Sequence, residues 1–167
     1  MSDDARIDIL KGALLLEHRG KALYESVARQ SPVGSVKDLF ELLVREEEKH
    51  IQVLSRQFAR VSSGEGFDVA ELETSHAAPS DVVLSRRIVK NISGAGYEAA
   101  AIAAALEFEK NAVRYYTENA GKATSEAEKK LFTWLSEWEK NHMLFLARVD
   151  NELKEKIWYD NQFWPLD

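Results

Sequence analysis

Two Glu-x-x-His motifs, at residues 47–50 and 139–142, are the residues in this sequence best suited to chemistry. Each motif follows another glutamate by thirty residues, Glu17 for the first and Glu109 for the second. Carboxylate oxygens and imidazole nitrogens are common ligands of iron, manganese and zinc in proteins. The pattern therefore predicts one metal site built from six side chains: Glu17, Glu47, His50, Glu109, Glu139 and His142.

Helical periodicity predicts that these side chains lie on the buried faces of four long helices. The first three predicted helices cover about residues 2–30, 36–60 and 97–120. The fourth follows a capping box formed by Ser125 and Glu128 and runs to about residue 153. Only Glu139 and His142 interrupt its apolar stripe, which consists of Phe132, Leu135, Leu146, Val149 and Leu153.

Local signals in the first helical pair lead to two further predictions. Pro32 is expected to separate the two helices, and Ser35 is placed to cap the second one. Glu46 and Glu48 belong to a run of three glutamates whose middle member, Glu47, lies on the apolar stripe. The two flanking carboxylates are predicted to face solvent.

An offset of 92 residues relates the two halves of the site and much of their surroundings. Identical residues at this offset include Ala13 and Ala105, Phe40 and Phe132, and Leu43 and Leu135. We therefore predict an all-α antiparallel four-helix bundle made of two similar helical hairpins, at 2–60 and 97–153. The segment 61–96 is too long for a simple turn and predicts a crossover along the bundle, with a short helix at 81–92.

The whole chain, residues 1–167, is predicted to form a single domain of this kind. The C-terminal extension at 154–167 is rich in aromatic residues and is expected to pack against the end of the bundle or against a second subunit.

The same offset relates Tyr24 and Tyr116, each of which stands seven residues after a leading glutamate. This placement on the buried stripe suits hydrogen bonds from the tyrosines to the carboxylates that hold the metals. The alternative is that both are ordinary core residues.

Four inward carboxylates would repel one another strongly, because burying an unpaired charge costs several kcal/mol. Two divalent cations would balance their four negative charges, and two imidazoles complete the set without adding charge. Cysteine is absent, which excludes thiolate zinc sites, cysteine nucleophiles and cysteine-ligated iron–sulfur centres. Six protein ligands for two metals leave open positions, which favours iron or manganese redox chemistry over a closed structural zinc site.

The net charge and the distribution of apolar residues limit the classes of partner that the protein can bind. The net charge of −6 provides no basic surface for nucleic acid or anionic lipid. The first four residues include two aspartates, and the longest apolar run, 99–106, is far shorter than the roughly 20 residues of a membrane-spanning helix. We therefore expect a soluble cytoplasmic protein.

The paired motifs resemble those of the ferritin-like superfamily, and in particular of its rubrerythrin-like group. In that group glutamate precedes tyrosine by seven residues on the first and third helices, and Glu-x-x-His occurs on the second and fourth. The resemblance covers about residues 5–153 and implies a ferritin-like bundle holding two iron ions, with manganese or zinc as alternatives. It also implies that Glu17 and Glu109 are terminal ligands, that Glu47 and Glu139 bridge the metals, and that His50 and His142 each bind one metal.

Two departures from rubrerythrin bear on the reaction. A further glutamate that rubrerythrin carries three residues after the leading one is Ala112 here, and the cysteine-ligated rubredoxin domain is missing. The leading hypothesis is an oxidoreductase that reduces hydrogen peroxide or dioxygen with electrons from an external donor and forms a homodimer. The alternatives are a ferroxidase or other iron-handling protein, and a binding module whose metals are structural.

Overall fold

The computed structural model describes residues 3–70, 72 and 82–160. These residues form five helices: α1 (Asp3–Gln30), α2 (Gly34–Ser62), α3 (Val82–Asn91), α4 (Tyr97–Lys122) and α5 (Glu126–Asp160). No strand occurs within the described ranges, so the prediction of an all-α bundle is confirmed. The part of the predicted aromatic extension at 161–167 lies outside the described residues.

The long helices pair as predicted from the repeat. α1 packs along α2, and α4 packs along α5, so each half of the repeat forms one hairpin. The two hairpins meet mainly through α1 and α4, while the crossover helix α3 contacts α5 and α2. After α2, Gly64 has a positive φ of 79°, a conformation that glycine adopts without steric cost, and it starts the crossover.

The connection between α1 and α2 corrects one prediction, because Ser35 does not cap α2. The N-cap is Val33, whose carbonyl accepts hydrogen bonds from the backbone N–H groups of Val36 and Lys37. Ser31 instead shapes the turn, since its hydroxyl accepts a hydrogen bond from the Val33 N–H at 3.2 Å. Ser35 is left buried inside the first turn of the helix.

The start of α5 has the predicted capping residues. The Ser125 hydroxyl accepts a hydrogen bond from the Glu128 N–H at 3.2 Å. The Glu128 carboxylate accepts one from the Thr124 N–H at 3.1 Å, one residue before the cap position of a standard capping box. Glu128 is fully buried, and Arg6 of α1 lies 3.7 Å from its carboxylate, which ties the two hairpins together at this end.

At its other end, α5 runs to Asp160, seven residues beyond the predicted boundary. Residues 154–157 are Lys-Glu-Lys-Ile, which favour a helix, and the next proline is Pro165. The added turns reach the crossover, where the Lys156 ammonium donates hydrogen bonds of 3.0 Å to the carbonyls of Val89 and Ile92. The first part of the extension thus holds the C-terminal end of α3 against α5.

Two apolar clusters fill the bundle. One contains Val27, Phe40, Ile102, Leu146 and their neighbours, and the other contains Leu10, Leu54, Leu131, Phe132 and theirs. Along every long helix the residues of one cluster are separated from those of the other by a short polar interval. No helix in the described ranges combines the length and the apolar character that crossing a bilayer requires.

Candidate metal centre

The polar interval between the two apolar clusters contains all six predicted ligands. It is occupied by Glu17 on α1, Glu47 and His50 on α2, Glu109 on α4, and Glu139 and His142 on α5. None of these side chains is more than 1% exposed. The structure therefore brings the six side chains together in one buried layer across the middle of the bundle.

Within this layer the ligand atoms fall into two groups of four, and the atoms of each group lie within 4.8 Å of one another. The first group comprises Glu17, Glu47, His50 and Glu139, and the second comprises Glu47, Glu109, Glu139 and His142. Glu47 and Glu139 belong to both groups. Each group has one further glutamate and one histidine of its own, as the twofold repeat requires.

The imidazoles lie close to the carboxylates. Nδ1 of His50 is 3.0 Å from Oε2 of Glu17 and 2.8 Å from Oε1 of Glu139, and only the contact with Glu17 has hydrogen-bond geometry. Nδ1 of His142 is 3.3 Å from Oε2 of Glu139 and 3.6 Å from Oε1 of Glu109, again without that geometry. The two rings face each other with their centroids 6.3 Å apart.

Several of these buried atoms have no hydrogen-bond partner among the described residues. They are Nε2 of His50, Oε2 of Glu109, both carboxylate oxygens of Glu139 and both ring nitrogens of His142. Buried polar groups in folded proteins are nearly always paired, so this concentration of unpaired carboxylate oxygens and imidazole nitrogens needs an explanation. Two divalent cations would satisfy these atoms and balance the four carboxylates, so the donor set fits a pair of metal ions.

The pKa values of the side chains in this layer also favour a site for cations. Burial by itself lowers the pKa of His50, but the charges of Glu139 and Glu17 outweigh it and raise the pKa to about 10. Burial also lowers the pKa of His142, and the nearby carboxylates raise it to about 9. Burial and the charge of Glu139 raise the pKa of Glu109 to about 8. Without metals, the layer relieves its negative charge by holding protons that cations would displace.

Two tyrosines donate hydrogen bonds across the bundle to Glu109 and Glu17. The hydroxyl of Tyr24 on α1 donates a hydrogen bond of 2.5 Å to Oε1 of Glu109 on α4. In the equivalent pair, Tyr116 on α4 donates a hydrogen bond to Oε1 of Glu17 on α1. Burial and the adjacent carboxylates raise the pKa of both tyrosines well above the ordinary value, so both hydroxyls remain donors. The pattern of the sequence did not show that each tyrosine serves the glutamate of the other hairpin.

The structure corrects the expectation for Glu46. Its side chain is buried rather than solvated, with one oxygen accepting a hydrogen bond from Lys49 at 3.1 Å and the other unpaired within the described residues. Lys49 stands three residues after Glu46, and this spacing was the available signal that the charge could be balanced locally. Glu48 is less buried and pairs with Lys21 of α1.

Sequence reasoning also missed two tryptophans beside the layer. Trp134 and Trp138 of α5 contact the His50 ring edge-on, with centroid distances of 5.8 and 5.1 Å. They lie one helical turn apart, and Trp138 directly precedes the ligand Glu139. That adjacency was the one signal in the sequence that could have drawn attention to them.

Comparison with protein-family models gives a match to Rubrerythrin over residues 8–150. Searches of curated proteins and of solved structures gave no match. The family match covers most of the chain, so the chain belongs to the rubrerythrin family, as the paired motifs indicated. Family membership and the buried layer of carboxylates and imidazoles together suggest a di-iron site.

Proposed function

We propose that this member of the rubrerythrin family is a non-haem di-iron oxidoreductase that reduces hydrogen peroxide or dioxygen with electrons from an external donor. The observation that supports it is the sharing of Glu47 and Glu139 between two buried four-residue ligand groups. A shared pair of carboxylates keeps two metal ions adjacent, and adjacent redox metals can deliver two electrons to one small oxidant.

The proposed roles of the six residues follow from the grouping. Glu17 and His50 would hold one metal, Glu109 and His142 would hold the other, and Glu47 and Glu139 would contribute ligands to both. Iron bound there supplies Lewis acidity and electrons. Burial and the charges of Glu17 and Glu139 raise the pKa of Glu47 well above its ordinary value, which shows how strongly the layer disfavours four uncompensated carboxylates.

The surrounding side chains prepare the site for this chemistry. The hydroxyl oxygen of Tyr24 lies 2.5 Å from Oε1 of Glu109 and donates a hydrogen bond that fixes the carboxylate orientation, and Tyr116 does the same for Glu17. The apolar clusters above and below keep bulk water out, which strengthens electrostatic interactions within the layer. The sequence contains no cysteine that could hold an iron–sulfur centre, so we assign electron supply to a separate protein or small molecule.

A stopped-flow comparison of oxidants tests this proposal. Anaerobic protein loaded with ferrous iron is mixed with hydrogen peroxide or with dioxygen, and the rise of ferric absorption is recorded. We expect peroxide to oxidise the protein faster than dioxygen does. Equal rates, or a faster reaction with dioxygen, would contradict peroxide reduction and favour an oxidase or ferroxidase.

A matched pair of variants shows whether the reaction belongs to the metal layer. Glu109 and Glu107 lie two residues apart on α4, but Glu107 is exposed and pairs with Lys110 at 2.6 Å. Glu109→Ala should abolish the fast peroxide reaction, and Glu107→Ala should leave it unchanged. A reaction that survives Glu109→Ala would place the chemistry elsewhere.

We also propose that the chain forms a homodimer. Trp158 and Tyr159 near the end of α5 are 50% and 69% exposed, and a second subunit would cover such aromatic surface. Size-exclusion chromatography with light scattering should give twice the mass of one chain. A much larger, cage-sized particle would instead favour the iron-storage alternative, because a dimer cannot enclose a mineral.

A further inference from the structure

Trp134 and Trp138 form an edge-to-face pair that reaches the metal layer from one side. Their ring centroids are 4.9 Å apart at an interplanar angle of 69°. Both rings approach His50 edge-on, at interplanar angles of 76° and 88°. The two indoles and the imidazole thus form one cluster of three aromatic rings in mutual contact.

This cluster breaks the twofold symmetry of the site. At the offset of 92 residues the positions equivalent to Trp134 and Trp138 are Leu42 and Glu46 of α2. The repeat therefore places no indole beside His142. The asymmetry distinguishes the metal position of Glu17 and His50 from the position of Glu109 and His142.

Trp138 also lies between the buried imidazole of His50 and the half-exposed side chain of Lys49. Trp138 is 3% exposed and Trp134 is 8% exposed, so neither ring is open to bulk solvent. Nζ of Lys49, whose side chain is half exposed, lies 5.6 Å from the centroid of a Trp138 ring.

We propose that Trp134 and Trp138 are internal one-electron donors to the metal position at His50, which reduce peroxide when no external donor is present. This inference rests on the proposed function. Each indole loses one electron through its ring contact with His50, together with its N–H proton. The two electrons and two protons convert one hydrogen peroxide into two water molecules, and two neutral indole radicals remain on the protein.

An indole ring is readily oxidised by one electron, whereas the phenyl ring of phenylalanine is far harder to oxidise. Replacing tryptophan by phenylalanine keeps an aromatic ring in place and removes the electron source. The variants Trp134→Phe, Trp138→Phe and the double variant therefore separate electron donation from packing. Trp158→Phe is the matched control, since Trp158 lies on α5 but is half exposed near its end.

The experiment uses iron-loaded, oxidised protein mixed with hydrogen peroxide in the absence of a reductant, frozen within milliseconds and examined by electron paramagnetic resonance. We expect an indole radical in the unmodified protein and in Trp158→Phe, and no indole radical in the double variant. Each single variant should retain the radical on the remaining indole. Peptide mass spectrometry after longer exposure should find added oxygen on Trp134 and Trp138, and zinc-loaded protein should show neither product.

Circular dichroism and metal analysis confirm that each variant is folded and loaded, and the single variants serve if the double variant is unstable. A radical that persists in the double variant, or that has the signature of a tyrosine, would overturn the inference. Peroxide consumption in the same samples separates the two claims. Consumption without an indole radical overturns only the inference, whereas no consumption in any sample, with or without an added reductant, overturns the proposed function as well.

Discussion

Replacing Tyr24 by phenylalanine removes a single hydroxyl that donates a 2.5 Å hydrogen bond to Glu109. The rest of the ring stays packed between Phe40 and Phe108, whose centroids lie 5.8 and 6.2 Å away. We expect this change to weaken metal binding at the position of Glu109 and His142. The other metal position should keep its affinity, because its glutamate is supported by Tyr116.

The magnitude follows from the charge state of Glu109. Burial raises its pKa to about 8, so metal binding must first stabilise the charged carboxylate. A buried hydrogen bond to a charged group contributes about 1.5–3 kcal/mol, which corresponds to a roughly 10- to 100-fold change in affinity. Outer partners of metal ligands typically contribute about 10- to 100-fold to metal affinity, so the two estimates agree.

Anaerobic calorimetric titration with ferrous iron or manganese measures the effect. In the Glu17→Ala background one metal position remains, and there Tyr24→Phe should weaken binding while Tyr116→Phe should have no further effect. Tyr115→Phe is the matched control for the loss of a hydroxyl, because Tyr115 donates its hydrogen bond of 2.7 Å to the Ile9 carbonyl, away from the ligands. Equal affinities for Tyr24→Phe and Tyr115→Phe would refute the reasoning.

Three further predictions concern the same layer. Glu47→Ala should remove both metals, whereas Glu17→Ala should leave one metal per chain, and metal analysis of the purified variants distinguishes these results. Each metal, at one hundred times its dissociation constant, should stabilise the fold by ~2.7 kcal/mol, or about 5–10 °C in Tm, and a chelator should reverse the shift in differential scanning calorimetry. In metal-free protein the pKa values of His50 and His142 are raised to about 10 and about 9. Their contribution to stability is therefore complete below about pH 6.5 and is lost as the pH rises through 9 to 10, so the Tm of metal-free protein should fall over this range. Metal affinity should rise with pH over the same range, because fewer protons must be displaced from the ligands. A Tm or a metal affinity that does not change from pH 7 to 10 would contradict these pKa directions.

The fold could be predicted because the helical phase of the apolar residues agrees with the 92-residue repeat along the four long helices. Glu139 and His142 lie on an apolar stripe of period 3.6, and the offset of 92 residues places Glu47 and His50 in the same phase on another helix. Such agreement between local pattern and global repeat leaves few ways to bury the apolar faces. The two hairpins and the burial of the ligand layer follow from it.

Other features depend on tertiary contacts that no local pattern encodes. The bond from Tyr24 to Glu109 joins residues 85 positions apart on different hairpins. The contact of Trp138 with His50 depends on how α5 lies against α2. Two corrections are local instead. Glu46 pairs with Lys49 three residues later on the same helix, and Val33, two residues before Ser35, is the N-cap of α2.

The most direct test of the two-metal layer is metal analysis combined with an electronic spectrum of protein purified in air, made for the unmodified chain and for the Glu47→Ala/Glu139→Ala double variant. We predict two iron ions per chain with the absorption of an oxo-bridged ferric pair, and loss of both metal and absorption in the double variant. One metal per chain, or two metals that survive removal of both shared carboxylates, would contradict the site described above.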